Sequence, residues 1–316
     1  MGKYYSNKTL IYLDQFAISN LVDQEEWFEL RDLLYHGVQE GVFLIPYSAE
    51  HMLETSVRTY EKAKAADELL FSLSRKFALD SEPMITTCFL LFAIRKVPVD
   101  YRIFSRIVQA PALEGNAILK YQLLNRTFRE MVGESTMLLN LVRSVGNGKR
   151  ADNQLLQIVL NEKKNQYLSD LLVRLKAFSL TGTYERQSVA FSMITIPYWA
   201  DIIMDGLIGN DLTQVEASEG VRLLSQLGLN IVPTIMIRAS LEAIFSVKNQ
   251  KETAADHLDI LRLCVAIPFA DVVVTDKSKV FDLQTLGFDE KFQTELFSGS
   301  TKDIERLHDK LALLMH

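Results

Sequence analysis

Asp14 near the start of the chain and Asp276 near its end each close a short apolar, β-rich run, Thr9-Leu10-Ile11-Tyr12-Leu13 in one case and Val272-Val273-Val274-Thr275 in the other. An α/β sheet delivers charge in this way to the carboxyl edge of its strands, where open sheets hold their ligands. A carboxylate at such a place is costly to bury unless it is paired, hydrogen-bonded or bound to metal. For Asp14 the competing role is the N-cap of a helix over Gln15 to Leu21. Two further acids stand in suggestive places: Glu54, six residues after the strand-like Val42 to Ser48, and Asp259, in a helical stretch before the second acid-tipped strand. Asp256, one helical turn before Asp259, competes for the third position, and Glu50 is a spare for the second. Four carboxylates without a matching cysteine or histidine cluster point to a hard divalent cation, Mg²⁺ or Mn²⁺.

Other chemistries find little support. His36, His51, His257, His308 and His316 have no metal-ligand spacing, which argues against zinc. There is no glycine-rich phosphate loop and no nucleophile elbow, against a nucleoside triphosphatase and a serine hydrolase. Ser48, His51 and Glu54 share a helical spacing, compatible with a pocket lining or an ordinary amphipathic face. Asp271 and Asp276 bracket one strand at odd spacing, so only one can face a pocket, and Asp276 at the carboxyl end is preferred.

The elements that must position these residues fall at the two ends of the chain. The first fifty residues predict strand, helix, strand: Leu10 to Asp14, Glu25 to Gln39 and Val42 to Ser48, a short connection that favours a parallel pair. After Asp256 a helix to Ile267, a strand over Asp271 to Thr275, a last strand near Thr294 to Phe297 and a helix over Thr301 to Met315 are expected. Between Ala49 and Lys248 the strand signal fades and three-to-four spacing dominates, as in Ala65 to Phe77, Ile118 to Val132, Leu155 to Phe178 and Val215 to Leu227. The expected fold class is α/β, with a central parallel sheet built from both chain ends (1–58 and 250–316) and a long, all-helical insertion (59–249).

The runs Ile11-Tyr12-Leu13-Asp14-Gln15-Phe16-Ala17-Ile18-Ser19, Ser48 to Glu54, and Asp259-Ile260-Leu261-Arg262 through to Asp276 resemble the PIN-domain nucleases. The resemblance covers roughly the first sixty and last sixty-five residues. It implies a central parallel sheet and an acidic pocket in which Asp14, Glu54, Asp259 and Asp276 hold one or two Mg²⁺ or Mn²⁺ ions and hydrolyse phosphodiesters, usually in RNA. The chain departs from the pattern at Gln15, where the family has asparagine, serine or threonine, and in the spacing of its third acid. The activity expected is that of a metal-dependent endoribonuclease, with DNA as the other substrate. The rival readings are a PIN-like subunit without turnover that binds or scaffolds, and a metal-dependent phosphatase of small molecules. The family association further suggests toxin-antitoxin or antiphage roles, with a cognate inhibitor or partner protein, or a second copy of the chain, as protein partners.

The whole chain of 316 residues is 48% hydrophobic with a formal net charge of -6, so nucleic acid would have to meet a local basic patch. Val142 to Lys176 offers one, with seven basic residues (Arg143, Lys149, Arg150, Lys163, Lys164, Arg174, Lys176) against three acids. A solvated helical face is the equal alternative. Lys149, Arg150, Lys163 and Lys164 are candidates for phosphate contacts, as are Ser48, Arg238 and Arg262, although salt bridging suits both arginines. Cys88 and Cys264 sit in apolar runs, as in a reducing cytoplasm. No leader is expected before the first strand, and Met84 to Ile94 and Ile231 to Ile237 are too short to cross a bilayer, so no membrane association is expected.

Overall fold

The structure, a computed structural model, describes residues 8–48, 51, 60–97, 104–106, 153–191, 194–248 and 254–315. Four strands form a parallel sheet: β1 (Thr9–Leu13), β2 (Phe43–Leu44), β8 (Val272–Val274) and β9 (Glu295–Phe297), in the order β2-β1-β8-β9. Both chain ends therefore contribute, as the sequence predicts. The register pairs Thr9 with Phe43, Leu13 with Val274 and Val274 with Phe297.

Strand periodicity sorts the apolar residues between the two faces. Ile11, Leu13, Val272, Val274 and Phe297 lie on one face, buried with α1 (Gln15–Asp23), α2 (Phe28–Gln39), α3 (Tyr60–Ser74) and α12 (Thr301–Leu314). Leu10, Tyr12, Val273 and Leu296 lie on the other, in a second core built with α4 (Glu82–Arg95), α5 (Asn153–Thr181), α6 (Trp199–Gly209), α7 (Gln214–Leu227), α8 (Pro233–Lys248) and α9 (Ala254–Ala266). Each buried aliphatic or aromatic side chain contributes about 1.5–3 kcal/mol relative to exposure. A sheet apolar on both faces must be covered on both, and the inserted segment supplies α3 to the first layer and α4 to α8 to the second.

The insertion is not all helical, which corrects the sequence reading. β3 (Tyr47–Ser48), β4 (Phe77–Leu79) and β5 (Phe104–Arg106) form a small mixed sheet, and β6 (Ser188–Phe191) and β7 (Ile194–Pro197) an antiparallel hairpin. Strands of three or four residues are too short to register as a period against long helices. Phe77, expected at the end of a helix, opens β4 instead, because Arg75 and Lys76 adopt positive φ and break α3. The expected strand from Val42 to Ser48 divides at Ile45-Pro46, where proline has no N–H for a ladder. The expected helix over Ile118 to Val132 lies outside the described residues.

Local signals explain how the first helix pair meets the sheet. α2 ends in a Schellman turn, with Val42 N–H bonded to the Gly37 carbonyl at 2.9 Å and Gly41 at φ +76°. Gly37 lets the helix approach β2 closely, since a Cβ there would fall 2.1 Å from the Phe43 ring. Between β8 and β9 lie two short helices, α10 (Lys277–Thr285) and α11 (Phe288–Phe292).

Candidate acidic site at the carboxyl edge

β1 runs directly into α1, and Asp14 is the junction. Its Oδ1 accepts from Ala17 N–H at 2.9 Å, capping the helix, and its Oδ2 accepts from the Thr275 hydroxyl at 2.5 Å. Of the two roles weighed for Asp14, metal ligand and helix cap, the structure has the cap. Burial pushes its pKa up, opposed by the nearby Arg262 guanidinium and by the bonds from Thr275 and Ala17, and reinforced by repulsion from Asp276.

The register places Thr275, not Asp276, opposite Asp14, because Leu13 pairs with Val274. Asp276 stands one residue further on, where it caps α10. Its Oδ1 accepts from Ser278 N–H at 2.8 Å, from the Ser278 hydroxyl at 2.6 Å and from Lys279 N–H at 3.1 Å. Asp14 is nearly inaccessible, whereas Asp276 is half-buried. Asp271 is at the opposite edge, its Oδ2 accepting from Leu10 N–H at 2.7 Å, which fits the edge role expected of it.

Asp256 and Asp259 lie one turn apart on α9, and both meet cations. Lys279 Nζ sits 3.2 Å from Asp256 Oδ1 and 3.5 Å from Asp259 Oδ2, and Arg262 donates to Asp259 Oδ1. Lys279 and Arg262 are each 3% exposed. Lys279 also lies over the Phe245 ring, 4.3 Å from its centroid. Arg262 therefore does pair with the acidic cluster, as one reading of it required. Lys279 escapes sequence reasoning, since a lysine three residues after a helix cap reads as solvent-facing and only the fold reveals its burial.

Among the described residues, no three histidine, cysteine or carboxylate side chains are grouped so as to hold a metal ion. The expected four-carboxylate set is therefore not assembled there: Glu54 lies outside the described residues, and Asp256 and Asp259 face protein cations. The donors at Asp14 and Asp276 are oxygens only and fit a hard divalent cation in kind. Oδ2 of Asp14 accepts the single Thr275 bond described, which leaves it a second lone pair, and the bonds described at Asp276 all fall on Oδ1.

The candidate substrate contacts fare differently. Ser48 is fully buried, its hydroxyl 3.0 Å from the Tyr12 hydroxyl and 2.9 Å from His51 Nδ1, so it belongs to the interior and not to a substrate path. Arg238 is held between Glu82 and Glu242, each at 3.2 Å, in the helical body. Lys163 reaches Glu242 at 3.7 Å. Lys164 is half-buried, and its pKa is lowered by burial and then by Lys291. Arg174 is buried against Asp201. Lys176 is exposed, and Lys149 and Arg150 lie outside the described residues, so of the four described basic residues Lys163 and Arg174 are in ion pairs within the helical body.

No family model, curated protein or solved structure matches this chain.

Proposed function

We propose that the chain is a PIN-like, metal-dependent endoribonuclease of the cytoplasm. One observation carries the reading: Asp14 and Asp276 follow adjacent parallel strands at the sheet's carboxyl edge, one residue apart in register. A like-charge cluster at that edge is a site where ligand chemistry is expected. In this mechanism Asp14, Asp276 and Glu54 would hold Mg²⁺ or Mn²⁺, and Asp259 would anchor Arg262 beside them. The cation supplies Lewis-acid polarisation of a phosphate and lowers the pKa of a bound water. Thr275 and the α1 backbone orient Asp14, and Ser278 and the α10 backbone orient Asp276, so both carboxylates are fixed before substrate arrives.

A binding or scaffolding subunit without turnover is the second reading, favoured by the ion pairs that Lys279 and Arg262 make with Asp256 and Asp259. The two separate in one experiment: incubation of single-stranded RNA with wild type, Asp14→Asn and Asp276→Asn in Mn²⁺, with single-stranded DNA and a phosphate monoester alongside. Metal-dependent RNA cleavage by wild type that either substitution abolishes supports the nuclease. RNA retained without cleavage supports the binding subunit, and monoester hydrolysis alone would mean a phosphatase.

A further inference from the structure

At the amino edge of the sheet, away from the acidic residues, a cavity of about 250 Å³ opens between α2, α3 and the edge strand β2. Lys8, immediately before β1, lines it, whereas Asp14 follows the far end of the same strand. At roughly 3.3 Å per strand residue, about 20 Å of chain separates the two places.

The cavity is mixed in chemistry. Val38, Phe43, Leu73 and Phe77 give it apolar walls, and Phe77 is 38% exposed, a ring left open to solvent. Lys8 and Arg75 supply positive charge, and no carboxylate lines it. Among the described residues Lys8 has no ion pair or side-chain hydrogen bond, and the bond described for the Arg75 guanidinium is a long one, from Nη1 to the Val38 carbonyl at 3.4 Å.

The structural task open to such cations, serving the last carbonyls of α2, is already performed by the backbone. Glu40 N–H donates to the His36 carbonyl at 2.9 Å, Val42 N–H to that of Gly37 at 2.9 Å and Gly41 N–H to that of Val38 at 3.2 Å. Arg75 is moreover held in place by its backbone. It and Lys76 adopt φ +47° and +71°, a left-handed pair unusual for residues other than glycine. The fully buried Ser74 pins that turn, its hydroxyl donating to the Phe71 carbonyl at 3.1 Å and accepting from Lys76 N–H at 3.3 Å.

Two uncommitted cations beside apolar walls match a ligand with an oxyanion head and an apolar body. The volume falls below the roughly 300–1,000 Å³ of pockets for drug-sized ligands, so the body is compact, of one ring. We propose that this cavity binds a small aromatic oxyanion, a carboxylate or a phosphate monoester, with Lys8 and Arg75 on the head and Phe43 and Phe77 against the ring. The site uses neither Asp14 nor Asp276 and stands independently of the nuclease reading.

Calorimetric titration of the full chain with phenyl phosphate and with benzoate, in the absence of divalent metal, tests it. Inorganic phosphate supplies the head alone and benzyl alcohol the body alone. At least one aromatic anion should bind at a single site, about tenfold or more tighter than either half-ligand, and the tighter of the two identifies the head. Lys8→Gln and Arg75→Gln should each weaken that binding roughly tenfold, the loss of one charge-assisted hydrogen bond. Should Arg75→Gln disturb the turn after α3, Lys8→Gln decides alone, since the fold places no described bond on that side chain. Binding of neither aromatic anion, affinity no better than that of a half-ligand, or wild-type affinity in Lys8→Gln overturns the inference.

Discussion

The carbonyl of Leu13, the last residue of β1, accepts a hydrogen bond from His51 Nε2 at 2.8 Å. Asp14 N–H bonds the Val274 carbonyl on the β8 side, so the Leu13 carbonyl points the other way, toward β2. β2 has already ended at Leu44, and the imidazole supplies the donor that the ladder lacks there. Donation to a carbonyl requires the proton on Nε2, which leaves Nδ1 to accept from Ser48 N–H at 3.2 Å and from the Ser48 hydroxyl at 2.9 Å. Tyr12 in turn lies within 3.0 Å of that hydroxyl. This buried relay fixes the backbone immediately before Asp14.

His51→Ala should therefore destabilise the fold by about 1–3 kcal/mol, the cost of leaving a buried polar group unsatisfied. His51→Gln, which retains an amide donor, should lose less. The denaturant midpoints of both variants measure this, and a midpoint for His51→Ala equal to wild type would remove His51 from its positioning role.

Asp14 is expected to be retained at a cost to stability. Its folded-state pKa lies above the ordinary 3.8, chiefly through burial. Below that ordinary value both states hold the proton and there is no penalty; as pH rises, the unfolded chain ionises first, and the penalty is complete above the folded-state pKa. Asp14→Asn, which can still cap α1, should raise the melting temperature at pH 7 without divalent metal, and the gain should shrink as the pH falls through the folded-state pKa and be gone below 3.8. Equal or lower stability of the variant at pH 7 would contradict the assigned direction.

How much of this was legible in the sequence depends on the range of the signal. The acid-tipped strands, the parallel pairing of β1 with β2 across a short helical connection and the helix over Thr301–Leu314 follow from local alternation and connection length, and the structure has them. What local pattern cannot convey is which partner a charge finds. Arg238 looks the same in sequence whether it meets phosphate or Glu82, 156 positions away. Lys279 looks exposed until α9 and Phe245 close over it. Ser48 looks like a pocket residue until Tyr12 and His51 enclose its hydroxyl.

Arg238 offers a direct contrast between structure and substrate binding. It is buried between Glu82 and Glu242, under the Tyr167 ring at 5.6 Å, and Tyr167 donates to Glu242 at 2.7 Å. The guanidinium is held well above its ordinary pKa despite burial, by Tyr167, Glu82 and Glu242. Arg238→Met should cost about 3–5 kcal/mol, because it strands buried carboxylates. Joint replacement with Glu82→Gln should recover part of that loss. Chemical denaturation gives both values; a loss in RNA affinity with undiminished stability would return Arg238 to the substrate path.

Glu216 gives the clearest pH signature outside the site. Thr213 and Glu216 form a capping box on α7, with Glu216 N–H donating to the Thr213 hydroxyl at 3.2 Å and Thr213 N–H donating to the Glu216 carboxylate at 2.9 Å. Arg95 donates to the same carboxylate at 2.8 Å and is the leading cause of its pKa falling from 4.5 to about 2. A depressed folded-state pKa means stability that is fully present above pH 4.5 and lost as the pH falls toward 2. The side chain is 27% exposed, so screening limits the ion pair to about 0.2–1 kcal/mol. Glu216→Gln keeps the cap geometry and removes the charge, so it should fall short of wild type by about that amount at pH 7 and converge with it near pH 2. Thr213→Ala, which removes the neutral half of the box, should cost about 1 kcal/mol at either pH. A Glu216→Gln deficit that persists undiminished at pH 2 would show that Arg95 reads the side chain's shape and not its charge.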